Sequence, residues 1–177
     1  MRSALHVLAR NGIDALSMRT VARHAGCTIG LINHWFSSKE DLITAAWEES
    51  KSQTGRSTVR AQKKGISLEF LMQVLPTNAA KSLDQKIWLA FTAMAIGNKK
   101  LAAANALTYT VGRRQLAAML IEAGHPPSGA IEAAGTIIAA LDGIIYDAGI
   151  EPDYWTPSRQ RRALRTLISG FFRKLPQ

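Results

Sequence analysis

The segment from Ser17 to Leu42, SMRTVARHAGCTIGLINHWFSSKEDL, constrains this chain more than any other. Within it Ala22, Gly26 and Ile32 stand at the spacing of a helix-turn-helix. The alanine keeps the first helix thin where the second crosses it, the glycine supplies a tight or left-handed turn, and the isoleucine plugs the second helix into the first. Val21 and Ala25 face the same small core. Ser17 is a suitable N-cap for the first helix and Thr28 for the second, while Ser37 with Glu40 makes an S-x-x-E capping box that starts the next. Many helical hairpins carry Ala, Gly and Ile at these offsets, so the turn acquires its meaning from these flanks.

The rest of the chain is helical in period, and no window shows sustained strand-like alternation. Ala4, Leu5, Leu8 and Ala9 line one face of a short first helix that stops at Asn11-Gly12. A helix from Lys39 presents Leu42, Ile43, Ala46 and Trp47 at helical spacing and fades into the polar stretch Ser50 to Gly65. That stretch is the domain boundary, with residues 1–47 forming the first domain and 48–177 the second. Five further helices are expected: Ser67 to Leu75, Ser82 to Ile96 behind a Ser82/Gln85 capping box, Lys99 to Ala123, Ser128 to Ile150, and Thr156 to Leu175. The last opens on Thr156-Pro157, an N-cap followed by proline at the first helical position. The fold class is all-α with about nine helices.

Composition narrows the function. Of 177 residues, 47% are hydrophobic and 20% charged, so the chain can bury a core. The net charge of +9, from 22 Lys and Arg against 13 Asp and Glu, favours a polyanionic partner. The excess is denser near the motif: residues 1–65 carry ten basic against five acidic side chains, and the other 112 carry twelve against eight. Cys27 is the only cysteine, which excludes an internal disulfide framework and fits a reducing cytoplasm. The four histidines lack metal-ligand spacing, so no metal is expected. The apolar run Ala133 to Tyr146 is fourteen residues long and interrupted by Asp142, too short for a bilayer span, and it reads as a buried helix. No catalytic motif is present: G-x-S-x-G, Walker A and G-x-G-x-x-G are all missing, as are paired carboxylates on one helix face. No cofactor is implied.

The order A-x-x-x-G-C-T-x-G-x-I-x-x-x-F-x-S-K-E-D-L resembles the DNA-binding domain of the TetR family of bacterial transcription regulators. The lysine and acidic pair after the aromatic are family features that a generic helix-turn-helix lacks. The ending Ile32-Asn33-His34-Trp35-Phe36 departs from the commoner L-Y-x-H-F and is similar to that of the choline-responsive repressors of betaine synthesis. Lys86 to Phe91, Arg113-Arg114 and Ala139 to Gly143 resemble the regulatory domain of that subgroup. Family members usually begin the first helix about two turns earlier, often with a basic arm. The resemblance thus implies either a chain without that arm or a native protein with a longer N-terminus.

The resemblance implies a homodimeric regulator, most often a repressor, that binds a palindromic operator in double-stranded DNA and is released by a small molecule. The second helix of the motif would enter the major groove by its N-terminal residues. Candidate DNA contacts are Ser17, Arg19, Thr28, Ile29, Gly30, Leu31, Asn33, His34, Trp35 and Lys39. Gly30 allows close approach, Ile29 and Leu31 can touch thymine methyls, Asn33 and His34 can bond base edges or phosphates, and Trp35 either donates to phosphate or packs. Asn33 replaces the tyrosine usual in the wider family. Arg19 and Lys39 match positions that reach DNA in the family.

In the regulatory domain, Trp88, Phe91, Met94, Tyr109, Met119 and Tyr146 are candidate ligand-binding residues, although such stripes at helical period also serve as packing. The subgroup resemblance implies a quaternary ammonium such as choline, which aromatic faces can hold by cation-π attraction. Dimerisation is assigned to the last two helices. Gly135, Ala139 and Gly143 form a smooth strip, and Leu164, Ile168 and Phe171 lead the apolar residues there, with an intramolecular core as the other use of the same side chains. The rival functions are a non-catalytic helical dimer that no longer reads DNA and a small enzyme.

Overall fold

Local hydrogen bonds explain where most helices begin and end. The structure, a computed structural model, describes residues 1–12, 14–49 and 68–169. The expected linker Ser50 to Gly65, the start at Ser67, and Phe171 with the run to Leu175 lie outside the described residues. The helices are α1 (Arg2–Asn11), α2 (Met18–Ala25), α3 (Ile29–Trp35), α4 (39–49), α5 (Leu68–Met72), α6 (Ala79–Gly97), α7 (Lys99–Glu122), α8 (Ala130–Ile150) and α9 (Pro157–Ser169). A short 3-10 turn, Pro127–Gly129, precedes α8, and no strand occurs among the described residues. The all-α expectation holds.

Ser17 and Thr28 cap as predicted: Ser17 Oγ accepts from the Thr20 amide at 3.1 Å and Thr28 Oγ1 from the Leu31 amide at 3.2 Å. Gly26 closes α2 in the left-handed region, with φ 67°, so that its amide meets the Arg23 carbonyl and the Cys27 amide meets the Ala22 carbonyl. Gly124 closes α7 in the same way, with φ 92°.

Two caps differ from the expected register. Helix α4 is capped by Ser38, whose Oγ accepts from the Asp41 amide at 3.0 Å, while the Ser37 hydroxyl donates to the Asp41 carboxylate. The side-chain cap is therefore Ser38 on the Asp41 amide, with the Asp41 carboxylate held by Ser37, in place of the expected Ser37/Glu40 box. Phe36 still closes α3 through its amide to the Ile32 carbonyl, so the chain needs both serines to turn before α4. Similarly α6 starts at Ala79 under Asn78, whose Oδ1 accepts from the Lys81 amide at 3.0 Å. Ser82 lies inside the first turn and donates to the Asn78 carbonyl, so the predicted Ser82/Gln85 box is not the start.

The described residues divide into two compact units, one of residues 1–49 with 83–102 and the other of 68–82 with 103–169. The core of the first brings Ala4, Val7 and Leu8 of α1 together with Leu16, Val21 of α2, Leu42, Ile43 and Trp47 of α4, and Ile87, Phe91 and Leu101. Ile32 and Phe36 pack against it, partly buried, as a plug from α3 should. The second core gathers Leu71 and Leu75 with Leu116 and Leu120 of α7, Ala134, Ile137 and Leu141 of α8, and Leu164 and Ile168 of α9. Each such leucine or isoleucine contributes about 1.5–3 kcal/mol by leaving water. The helical stretch Pro127–Ile150 is 24 residues long and contains an 18-residue window of mean hydropathy 1.4, so the helix is longer than the fourteen-residue apolar run and, by length and composition alone, long and apolar enough to cross a membrane. Its Ala133, Ala134, Ile137, Leu141, Ile144 and Ala148 are buried, forming one face of the helix.

Candidate nucleic-acid interface

Helix α3 is held at both ends and turns little of itself inward. Thr28 caps its start, the Phe36 amide closes its end, and only Ile32 and the following Phe36 reach the core. No residue of α3 is fully buried. Ile29, Gly30, Leu31, Asn33, His34 and Trp35 are exposed, Trp35 at 71%. Large apolar side chains in that state mark a surface that awaits a partner. The His34 and Trp35 rings meet edge to face at 5.4 Å, which holds both side chains on the outer surface.

Arg19 and Lys39 flank this helix in sequence and are exposed, as is Thr28. Ser17 is half-buried because it caps α2, where its hydroxyl also lies 2.8 Å from that of Thr20. A Cβ built on Gly30 would meet nothing nearer than the Thr28 hydroxyl at 3.9 Å. The fold therefore does not demand glycine there. At the start of α4, hydrogen bonding by Ser37 chiefly, then by Ser38, and the charge of Lys100 hold the Asp41 carboxyl below its ordinary range against some desolvation.

Of the six candidate ligand residues, three lie in each unit. Phe91 is 1% exposed and stacks on Trp47 with ring centroids 4.2 Å apart and planes 6° from parallel. Trp88 and Met94 pack against the same core, so these three belong to the first unit. Tyr109, Met119 and Tyr146 belong to the second: Met119 is core, Tyr146 is exposed, and Tyr109 donates its hydroxyl to Asp142 Oδ2 at 2.6 Å. Sequence reasoning did not select Asp142, though a lone acid inside the apolar run Ala133 to Tyr146 was its signal. Burial pushes the Asp142 carboxyl up, and the bond from Tyr109 partly offsets this.

The dimerisation candidates also separate. Leu164 and Ile168 are fully buried in the core of their own chain, which is the intramolecular use of those side chains and leaves them off any open face. Ala139 and Gly143 are exposed, and nothing lies within 4 Å of a Cβ built on Gly143. Gly135 is half-buried against the Arg113 side chain, whose Cδ would lie 3.6 Å from such a Cβ. Phe171 is outside the described residues.

A helix-turn-helix with an open second helix, followed by a helical second unit, defines the class of one-component DNA-binding regulators. The family described as bacterial regulatory proteins, tetR family, matches residues 1–46, and the BetI-type transcriptional repressor C-terminal domain matches residues 67–173. The chain belongs to the TetR family of transcriptional regulators and carries a BetI-type C-terminal domain. It is 27% identical over 169 residues to the HTH-type transcriptional regulator PksA of Bacillus subtilis, covering 89% of this chain and 80% of that one. It is 25% identical over 163 residues to the regulator BetI of Vibrio atlanticus, covering 86% and 80%. Among solved structures, a transcriptional regulator from Rhodococcus superposes with a TM-score of 0.90 at 27% identity, over 99% of this chain and 96% of that one. A Saccharomonospora viridis regulator in complex with choline has the same fold, with a TM-score of 0.80 at 20% identity over 95% and 92%. These families and relatives are transcriptional regulators, not enzymes.

Proposed function

We propose that this regulator is a cytoplasmic homodimeric repressor that holds a pseudo-palindromic operator through two copies of α3 and lets go when a small effector binds its regulatory domain. The observation that carries the reading is the open face of α3. It leaves Ile29 and Leu31 free for thymine methyls and Asn33 and His34 for base edges or phosphates, beside Gly30, which a fold alone would not require. Trp35, exposed rather than packed, is assigned to phosphate through its indole N–H, and Arg19 and Lys39 to base and backbone respectively. Ser17 and Thr28 act chiefly by fixing the two helix starts. The functional division at residue 47 is supported by family matches that end at residue 46 and begin at 67.

One recognition helix reads only a few base pairs, so specificity calls for two at fixed spacing. The surface offered for this is the outer side of α8: the small Ala139 and Gly143 allow close approach, and Ile131, Tyr146 and Ile150 are large exposed apolar side chains on the same helix. Choline in the Saccharomonospora relative and the BetI-type domain support a small organic cation as effector. Repression, rather than activation, follows the BetI-type description. The test is sedimentation velocity with a duplex recovered by selection from genomic DNA. Two protomers per duplex support the reading, and one protomer on a full-length site at micromolar protein removes it.

A further inference from the structure

The corner between α8 and α9 is tied down by its own hydrogen bonds. The amides of Tyr154 and Trp155 both donate to the Glu151 carbonyl, at 3.1 and 2.8 Å. Their carbonyls are taken from the first turn of α9: Arg159 Nη1 donates to that of Tyr154 at 3.0 Å, and Nε2 of the buried Gln160 donates to that of Trp155 at 2.8 Å. The Arg159 guanidinium also sits over the Tyr154 ring, 4.3 Å from its centroid. The Tyr154 and Trp155 rings are thereby held 78° apart in orientation, with centroids separated by 5.6 Å.

Beside these rings lies an open groove of about 480 Å³, lined by Tyr154, Trp155, Arg159 and Arg162 together with Ala163 and Leu167, which pack on the second core. Small-molecule sites span about 300–1,000 Å³, so the groove has the capacity of one. Helix α9 carries Arg159, Arg161, Arg162 and Arg165 and no acidic residue over Pro157–Ser169. Arg159 is committed to Tyr154, whereas Arg162 has no hydrogen-bond or ion-pair partner among the described residues, Glu151 and Asp153 of the corner included. A flat ring laid on one of the two aromatic faces meets the other edge to face, both favoured arrangements. A guanidinium presents a planar fork that a carboxylate fills, and one uncommitted guanidinium matches one negative charge.

We infer that this groove is a small-molecule site for a planar aromatic carboxylate, its ring lying on Tyr154 and Trp155 and its carboxylate on Arg162. The ligand is opposite in charge to the effector proposed above, so the site is a second one and stands independently of that reading.

Three probes of like size separate the two requirements. The anion β-naphthoate has ring and charge, β-naphthamide the ring alone, and decahydro-β-naphthoate the charge without aromatic faces. Calorimetry on the full chain without DNA is expected to rank β-naphthoate above both. Arg162→Gln should cost β-naphthoate about three- to tenfold and bring it level with the amide. Tyr154→Leu should reduce its advantage over the saturated acid. Both positions are exposed, thermal unfolding checks that each variant is folded, and if Tyr154→Leu is not, Arg162→Gln decides. Equal binding of the three probes, no binding of β-naphthoate at millimolar concentration, or unchanged affinity in Arg162→Gln would overturn the assignment. Sedimentation velocity on the same variants tests the other occupant. Self-association weakened by Arg162→Gln, with β-naphthoate affinity unchanged, would give the groove to a second copy of this chain and overturn the ligand site.

Discussion

The ring of Phe91 on α6 lies flat on the indole of Trp47 on α4, 4.2 Å away and 6° from parallel. One core thereby joins α6 to the helices of the DNA-reading motif. Replacing Phe91 with Ala should destabilise the protein by about 3–5 kcal/mol, through lost burial plus the cavity left against Trp47. Phe91→Leu should cost less. Chemical denaturation followed by tryptophan fluorescence measures both, and a loss below 1 kcal/mol for Phe91→Ala would contradict the stacking as a core contact.

Two glycines of the motif should behave oppositely. Gly26→Ala forces a side chain into the left-handed region at φ 67° and should lose about 1–2 kcal/mol of stability. Gly30→Ala has room and lies within a helix, so stability should hold or rise by up to about 1 kcal/mol while operator affinity falls. Thermal unfolding and anisotropy on the same variants separate fold from function. Full DNA affinity in a folded Gly30→Ala protein would show that the helix does not approach DNA closely there.

Lys39→Ala should weaken binding to every sequence alike and lower the salt slope by about 1, because an ammonium senses phosphate. Arg19→Ala should also relax base preference, since a bidentate guanidinium contact to guanine is worth about 1–3 kcal/mol of discrimination. Titrations on cognate and scrambled duplexes at several salt concentrations decide. Equal losses on both duplexes for Arg19→Ala would demote it to a backbone contact.

Asp142 sets a pH dependence. Burial raises its carboxyl above the ordinary range, so the folded protein holds this proton more tightly than the unfolded chain. The stability so gained is complete below the ordinary carboxylate value and is lost as pH rises through the raised one. Asp142→Asn keeps an acceptor for Tyr109 without the charge. Its melting temperature relative to the unmodified protein should therefore climb as pH rises above the ordinary carboxylate range. A difference that does not change with pH would contradict the burial of this group.

Much of the motif was legible because its determinants are local. Ser17, Thr28 and Gly26 act within one turn of their own positions, and their roles follow from side-chain chemistry. Adjacent alternatives obscured the rest: Ser37 and Ser38 are equal as caps and Glu40 and Asp41 nearly so, and only the end of α3 at Phe36 selects the second pair. Asn78 displaced Ser82 because capping depends on where the preceding turn delivers the chain. The partners of the aromatic residues were not legible for a different reason. Helical spacing places Phe91 on a face but does not say that Trp47 covers it, and Leu164 and Ile168 suit an intrachain core as well as an interchain one. Asp142 was visible as an interruption, but its partner Tyr109 is 33 residues away, and nothing local pairs them.

The most direct test of the account is a footprint of the purified protein on fragments it selects from genomic DNA, at physiological salt. The account predicts protection of a site with two-fold symmetric halves about one or two helical turns apart, in contact with α3, and its loss in a folded Gly30→Ala or Arg19→Ala protein. Protection without sequence preference, or an asymmetric single half-site, would contradict it.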